Sequence, residues 1–220
     1  MNLLENELNK LKEDIAEMMK LVKKQTKKSK KAFLEMDSDR AEEIIHHEKR
    51  VNALELSIDR NCENILALYK PVAVDLRFVI SMLKINSDLE RIGDYAEGTA
   101  KYIIELETKF SKEILDTLQV AKIFQVAIEM IEDIREAFKQ ENTDLAMKLF
   151  KKDKDLNKLC ANASSNIAKI VEKDPKIIRP SLFLFSTIRR LERTGDHVKN
   201  IAEEIIFYLE AEVLKHKPIK

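Results

Sequence analysis

The chain is poor in the residues that break or bend a backbone. Only three glycines and four prolines occur in 220 residues. Such a composition disfavours a turn-rich β-sandwich or barrel and points to long helices with short connections. Tryptophan is absent, and aromatics make up 6% of the chain. Charge of either sign shows no surplus: thirty-nine basic residues balance thirty-nine acidic ones. A dedicated nucleic-acid binder normally carries a cationic excess, so that class is not expected. Hydrophobic residues at 45% exclude disorder as the general state. The opening stretch MNLLENELNKLKEDIAEM has an acid every few residues and does not read as a secretory leader. No later run approaches the roughly 20 apolar residues of a membrane span, and a cytoplasmic location is expected. The two cysteines, Cys62 and Cys160, sit in helical patterns and read as core thiols in a reducing compartment.

Apolar spacing close to 3.6 runs through almost the whole sequence. Leu4, Leu8, Leu11, Ile15, Met18 and Val22 line a first helix that ends near Glu35. Asp37, Ser38 and Asp39 offer caps for a second, which stops at Lys70-Pro71. A third is expected from Val72 to Leu106, and a fourth from Ser111 to Gln140. The fifth is capped at Asn142 or Thr143 and ends before Asp174-Pro175. The sixth opens after Arg179-Pro180 and continues to about Leu214.

The second half repeats the first. SDRAEEII at Ser38–Ile45 corresponds to TDLAMKLF at Thr143–Phe150, and LERIGD at Leu89–Asp94 to LERTGD at Leu191–Asp196. The expected fold is all-α: two tandem three-helix bundles, six long antiparallel helices, related by a pseudo-twofold. The expected division is 1–108 and 109–220, with the joint near Thr108 to Ser111.

All three glycines, Gly93, Gly98 and Gly195, fall inside helical patterns, where each costs roughly 1 kcal/mol relative to alanine. Close helix packing or room for a ligand explains such placement. Beside them, Glu90 and Asp94 lie one turn apart on a flank of the third helix, and Glu192 and Asp196 repeat this on the sixth. Glu48 with Asn52, and Asp153 with Asn157, form a second duplicated pair on the facing helices. Oxygen-rich clusters of this kind suit Mg, Ca, Mn or iron. They equally suit salt bridges to Arg91, Arg193 and lysines. A metal-dependent carboxylate-bundle enzyme is a second reading, although Glu43-Ile-Ile-His46 is a single ExxH where di-iron bundles use two. Of the other histidines, His197 reads as a polar residue beside Asp196 rather than a ligand.

Two smaller signals complete the reading. Lysines 20, 23, 24, 27, 28, 30 and 31 concentrate positive charge at the end of the first helix, as a solvated face or a contact for an acidic partner. Tyr69, Phe78, Phe183 and Phe185, near the proline turns, read as core closures.

PVAVDLRFVISMLKINSDLERIGDYAEGTAKYI, followed a repeat later by LERTGDHVKNIAEEIIFYL, resembles the phosphate-transport-system accessory (PhoU) family over essentially the whole chain. That resemblance implies duplicated three-helix bundles whose acid-xxx-Asp pairs, here Glu90/Asp94 and Glu192/Asp196, bind metal, iron clusters among them, with Mg, Mn, Ca and Zn left open. It also implies a non-enzymatic negative regulator of phosphate uptake and of the phosphate-starvation response. Its expected partners are the transporter's ATPase subunit, a membrane sensor histidine kinase and a second copy in a homodimer. The sequence departs from the family's GDHAxNIAE in the first repeat, where Tyr95, Gly98 and Lys101 stand for His, Asn and Glu. Position 48 is Glu where Asp is usual.

Overall fold

Residues 3–106 and 109–214 are described by the computed structural model, and all regular structure among them is helical. Helix α1, Leu3–Glu35, buries Leu11, Ile15, Met18 and Val22, while Leu4 and Leu8 pack against the core from its edge. Asp37 caps α2, Ser38–Asn64: its Oδ1 accepts the Arg40 N–H at 2.9 Å. Helical backbone continues toward Pro71, but the last turn widens into a π turn over Ile65–Tyr69 before Lys70 turns left-handed at φ 47°. Helix α3 spans Ala73–Glu105.

The expected fourth helix is two. Short α4, Lys112–Thr117, is capped by the Ser111 hydroxyl and separated from α5, Val120–Gln140, by Gln119 at φ 52°. The break lets both Leu118 and Val120 enter the core, where they are 2% and 0% exposed. Burial at both positions offsets the roughly 1–2 kcal/mol cost of a left-handed non-glycine residue.

Asn142 caps α6, Thr143–Lys173, by accepting the Leu145 N–H at 3.0 Å. The last helix, α7, starts at Ile178, before Pro180 rather than after it. Proline is tolerated there because first-turn N–H groups have no intrahelical acceptor. Helix α7 ends at Glu210, short of Leu214, with Ala211 left-handed at φ 58°. Thr108, at the expected joint, and His216 lie outside the described residues.

Helices α1, α2 and α3 pack on one another, and so do α5, α6 and α7; the halves meet along α3–α7 and α1–α5. Among the described residues, seven α-helices in a tandem repeat therefore stand where six were expected. The core runs continuously through both halves, with Phe33, Phe124 and Phe138 among its largest fully buried side chains. Cys62 and Cys160 are buried, and burial pushes both thiols up to about 12. Part of the basic stretch on α1 is spent on neighbouring helices: Lys23 pairs with Glu132 of α5 and Lys28 with Glu43 of α2. Phe78 closes the core against Tyr208, whereas half-buried Phe183 meets the Tyr102 ring outside the core cluster, half-buried Tyr69 is not part of that cluster, and Phe185 is exposed. Its position on α7 faces a cleft, so the core-closure expectation fails there.

Candidate metal centre

The helical glycines decide where the acids go. A Cβ on Gly93 of α3 would lie 2.9 Å from Glu48 Oε1 of α2, and one on Gly195 of α7 would lie 3.2 Å from Asp153 Oδ1 of α6. In both repeats the missing side chain lets a carboxylate from the neighbouring helix press against backbone. Glu48 and Asp153 are consequently buried, at 3% and 4% exposure. Among the described residues, Glu48 Oε1 and Asp153 Oδ1 are buried without a hydrogen-bond partner, and so is Asn157 Oδ1. An unsatisfied buried carboxylate oxygen is costly unless a proton or a cation meets it.

Electrostatics follow from the same geometry. Burial, reinforced by Asp94, Glu97 and Glu90, pushes the Glu48 carboxyl up to about 7, although Gln25 Nε2 donates to its Oε2 at 3.4 Å. Glu90 is raised by burial and by Asp94, and Glu55 by burial, Asp59 and Asp94. Asp153 is raised by burial, with Lys199 pulling the other way at 3.8 Å. Lys199 occupies the position held by Glu97 in the first repeat, so a cation stands beside Asp153 where an acid stands near Glu48.

Each expected member can be placed. Glu48, Glu90 and Asp94 share one face, and Asp153, Glu192 and Asp196 share the other, as their mutual influence on Glu48 and Asp153 records. Asn157 Nδ2 donates to Asp153 Oδ2 at 3.3 Å and belongs with the second face. Asn52 is exposed and hydrogen-bonds to none of the others among the described residues. Arginines occupy part of the space: Arg91 lies 3.7 Å from Glu90 and 3.4 Å from Asp94, and Arg189 pairs with Glu192 at 2.5 Å. Among the described residues no three carboxylate, histidine or cysteine groups already converge tightly enough to hold an ion. Hard oxygen donors, two of them orphaned carboxylate atoms, are the donor chemistry that hard cations take.

Several contributors escaped the sequence reading. Gln25 is a buried polar interruption of the apolar stripe on α1, and that interruption was the available signal. Glu55 left no such mark, because only the folded chain brings it near Asp94. His197 is more than a surface residue: its Nδ1 donates to Asp88 Oδ1 at 2.6 Å, leaving Nε2 3.1 Å from the Tyr95 hydroxyl and tying α7 to α3. Glu43 and His46 are both exposed on α2.

The PhoU domain matches residues 15–103 and again 120–205. The phosphate-specific transport system accessory protein PhoU homolog of Aquifex aeolicus is 34% identical over 214 residues, covering 97% of this chain and 96% of that protein. The crystal structure of PhoU from Pseudomonas aeruginosa superposes with a TM-score of 0.90 at 32% identity, over 94% of this chain and 99% of the other. That of the phosphate transport system regulatory protein PhoU from Streptococcus pneumoniae gives 0.86 at 29%, over 96% and 98%. No helix among the described residues is long and apolar enough to cross a membrane. The family is one of accessory and regulatory proteins rather than enzymes, which overturns the carboxylate-bundle enzyme as a second reading. Two matched domains and relatives aligned over nearly the full length make this chain a member of the PhoU family of phosphate-specific transport system accessory proteins.

Proposed function

We propose that this chain is a negative regulator of phosphate uptake and of the phosphate-starvation response. It acts as a cytoplasmic adaptor between the ATPase subunit of a phosphate ABC transporter and a sensor histidine kinase, with a homodimer as the working unit. The reading rests on family membership across both repeats, matched over 15–103 and 120–205, and on the regulatory role named for the Streptococcus pneumoniae relative.

Metal belongs to this reading as a structural component of the binding surface. Glu48, Glu90 and Asp94 would hold one cation, and Asp153, Asn157, Glu192 and Asp196 another, with Asn52 at the rim of the first. The observation that carries this is the pair of orphaned buried oxygens, Glu48 Oε1 and Asp153 Oδ1, at equivalent places in the two repeats. A bound cation supplies positive charge that the buried carboxylates otherwise lack. Around it, Gln25 orients Glu48 and Asn157 orients Asp153.

Affinity capture from phosphate-replete cells tests the adaptor role. Recovery of the transporter ATPase and a sensor kinase supports it. Recovery of neither would overturn it.

A further inference from the structure

The two repeats meet along α3 and α7, and equivalent positions face one another across the junction. On one side, Asp88 of α3 has two partners at its Oδ1: His197 Nδ1 donates to it at 2.6 Å and Asn200 Nδ2 at 3.3 Å. Beside that pair, Glu204 accepts from Ser81 Oγ at 3.1 Å and Lys84 Nζ at 3.0 Å. The matching positions on the other side carry different chemistry. Arg190 stands where Asp88 does, Gly98 where Asn200 does, and Tyr102 and Phe183 where Glu204 and Ser81 do.

Arg190 is packed in place yet pairs with no anion among the described residues. Its guanidinium lies 4.1 Å from the centre of the Tyr102 ring and fills the notch at Gly98, where a Cβ would approach Nη1 to 2.5 Å. Nη1 is buried with no acceptor among the described residues, and burial lowers the group below its ordinary range. A buried guanidinium donor without an acceptor is an expensive arrangement. It opens beside a cleft of about 610 Å³.

Four cations line that cleft: Lys101 of α3, and Arg189, Arg190 and Arg193 of α7. Asp94 and Glu97 are the acids on its wall, so positive charge prevails in a chain of zero net charge. Lys101 pairs with Glu97 and Arg189 with Glu192, whereas Arg193 makes no ion pair among the described residues. Tyr95 and Phe185 add aromatic wall. Guanidinium forks match oxyanions. A single carboxylate engages one fork, while a phosphoryl group presents enough oxygens for two or three. The volume lies within the roughly 300–1,000 Å³ typical of small-molecule sites.

We propose that the α3–α7 cleft on the Gly98 side binds a phosphoryl-bearing small molecule, with Arg190 and Arg193 receiving the phosphoryl oxygens. The receiving cations, Arg190 and Arg193, belong to neither acidic face; Asp94 is shared by the cleft wall and the first face, so the test is made with metal removed.

Calorimetric titration of the full chain in chelator, with pyrophosphate, ATP and adenosine as probes, tests the assignment. Saturable binding of pyrophosphate or ATP, but not of adenosine, is expected. Arg193→Gln should weaken it roughly tenfold or more, the size of one lost charge-assisted hydrogen bond. Gly98→Asn, which installs the residue of the second repeat and expels the guanidinium, should do the same, and Arg50→Gln on α2 should change nothing. Tighter binding of ATP than of pyrophosphate would assign a nucleotide, and equal binding an inorganic anion. Should Gly98→Asn fail to fold by circular dichroism, the exposed Arg193 decides alone. Absence of saturable binding by either anion, adenosine binding as tightly as ATP, or affinity indifferent to Arg193→Gln would overturn the proposal.

Discussion

Replacing Glu48 with glutamine isolates the energetic consequence of burying a carboxylate against a glycine. In the folded chain the Glu48 carboxyl is held at about 7 rather than its ordinary 4.5, by burial first and then by Asp94 and Glu97. The folded state therefore keeps a proton that the unfolded chain releases. The contribution of Glu48 to stability is fully present below about pH 4.5, is lost as pH rises through this window, and is absent above about 7. At 1.36 kcal/mol for each pH unit, the loss amounts to about 3 kcal/mol. Glutamine keeps the shape and still accepts from Gln25 but carries no charge. In urea denaturation with chelator, Glu48→Gln should match the parent near pH 4 and exceed it by up to about 3 kcal/mol at pH 8. A shallower slope should persist in the variant, because Asp153 and Glu90 are also held above their ordinary range. Equal pH dependence in parent and variant would refute the reasoning, since the buried charge would then cost nothing.

Other substitutions probe the same geometry. Gly195→Ala sets the helix-propensity gain of roughly 1 kcal/mol against overpacking of about 1–3 kcal/mol. The new Cβ would lie 2.7 Å from Leu156 Cδ2, in a fully buried side chain, so net destabilisation in urea melts is expected and a gain would contradict the tight packing. Ala211→Gly relieves a left-handed residue at the end of α7 and should raise stability by about 0.5–1 kcal/mol in thermal melts; a loss would contradict the strain argument. Lys199→Gln removes the cation 3.8 Å from Asp153, and titration should find the Asp153 carboxyl further above its ordinary range. An unmoved titration would exclude Lys199 as its partner.

Most of the architecture was legible because long helices advertise themselves through periodicity, and their ends through Asp37, Asn142 and the prolines. The break at Gln119 was not, because it depends on Leu118 and Val120 both finding core space, and nothing local marks the left-handed residue. Non-glycine residues occupy every left-handed position among the described residues, Met36, Lys70, Ala73, Gln119, Glu141 and Ala211, so the usual turn signal was absent. The acidic faces were half legible. Duplication exposed Glu90, Asp94, Glu192 and Asp196, and spacing added Glu48 and Asp153, but Asn52 shares their spacing and remains exposed. Glu55, and the bridge from Asp88 through His197 to Tyr95, depend on contacts between segments distant in sequence. No local pattern announces those.

Elemental analysis of protein purified without chelators bears most directly on the twin cation sites. The parent is compared with Glu90→Ala/Asp94→Ala and with Glu192→Ala/Asp196→Ala. Stoichiometric metal in the parent, with a separable share lost from each double variant, is the expected result. A parent free of metal, or metal content untouched by both substitutions, would contradict it and leave the neighbouring cations, Arg91, Arg189 and Lys199 among them, as the counter-charges of the two faces.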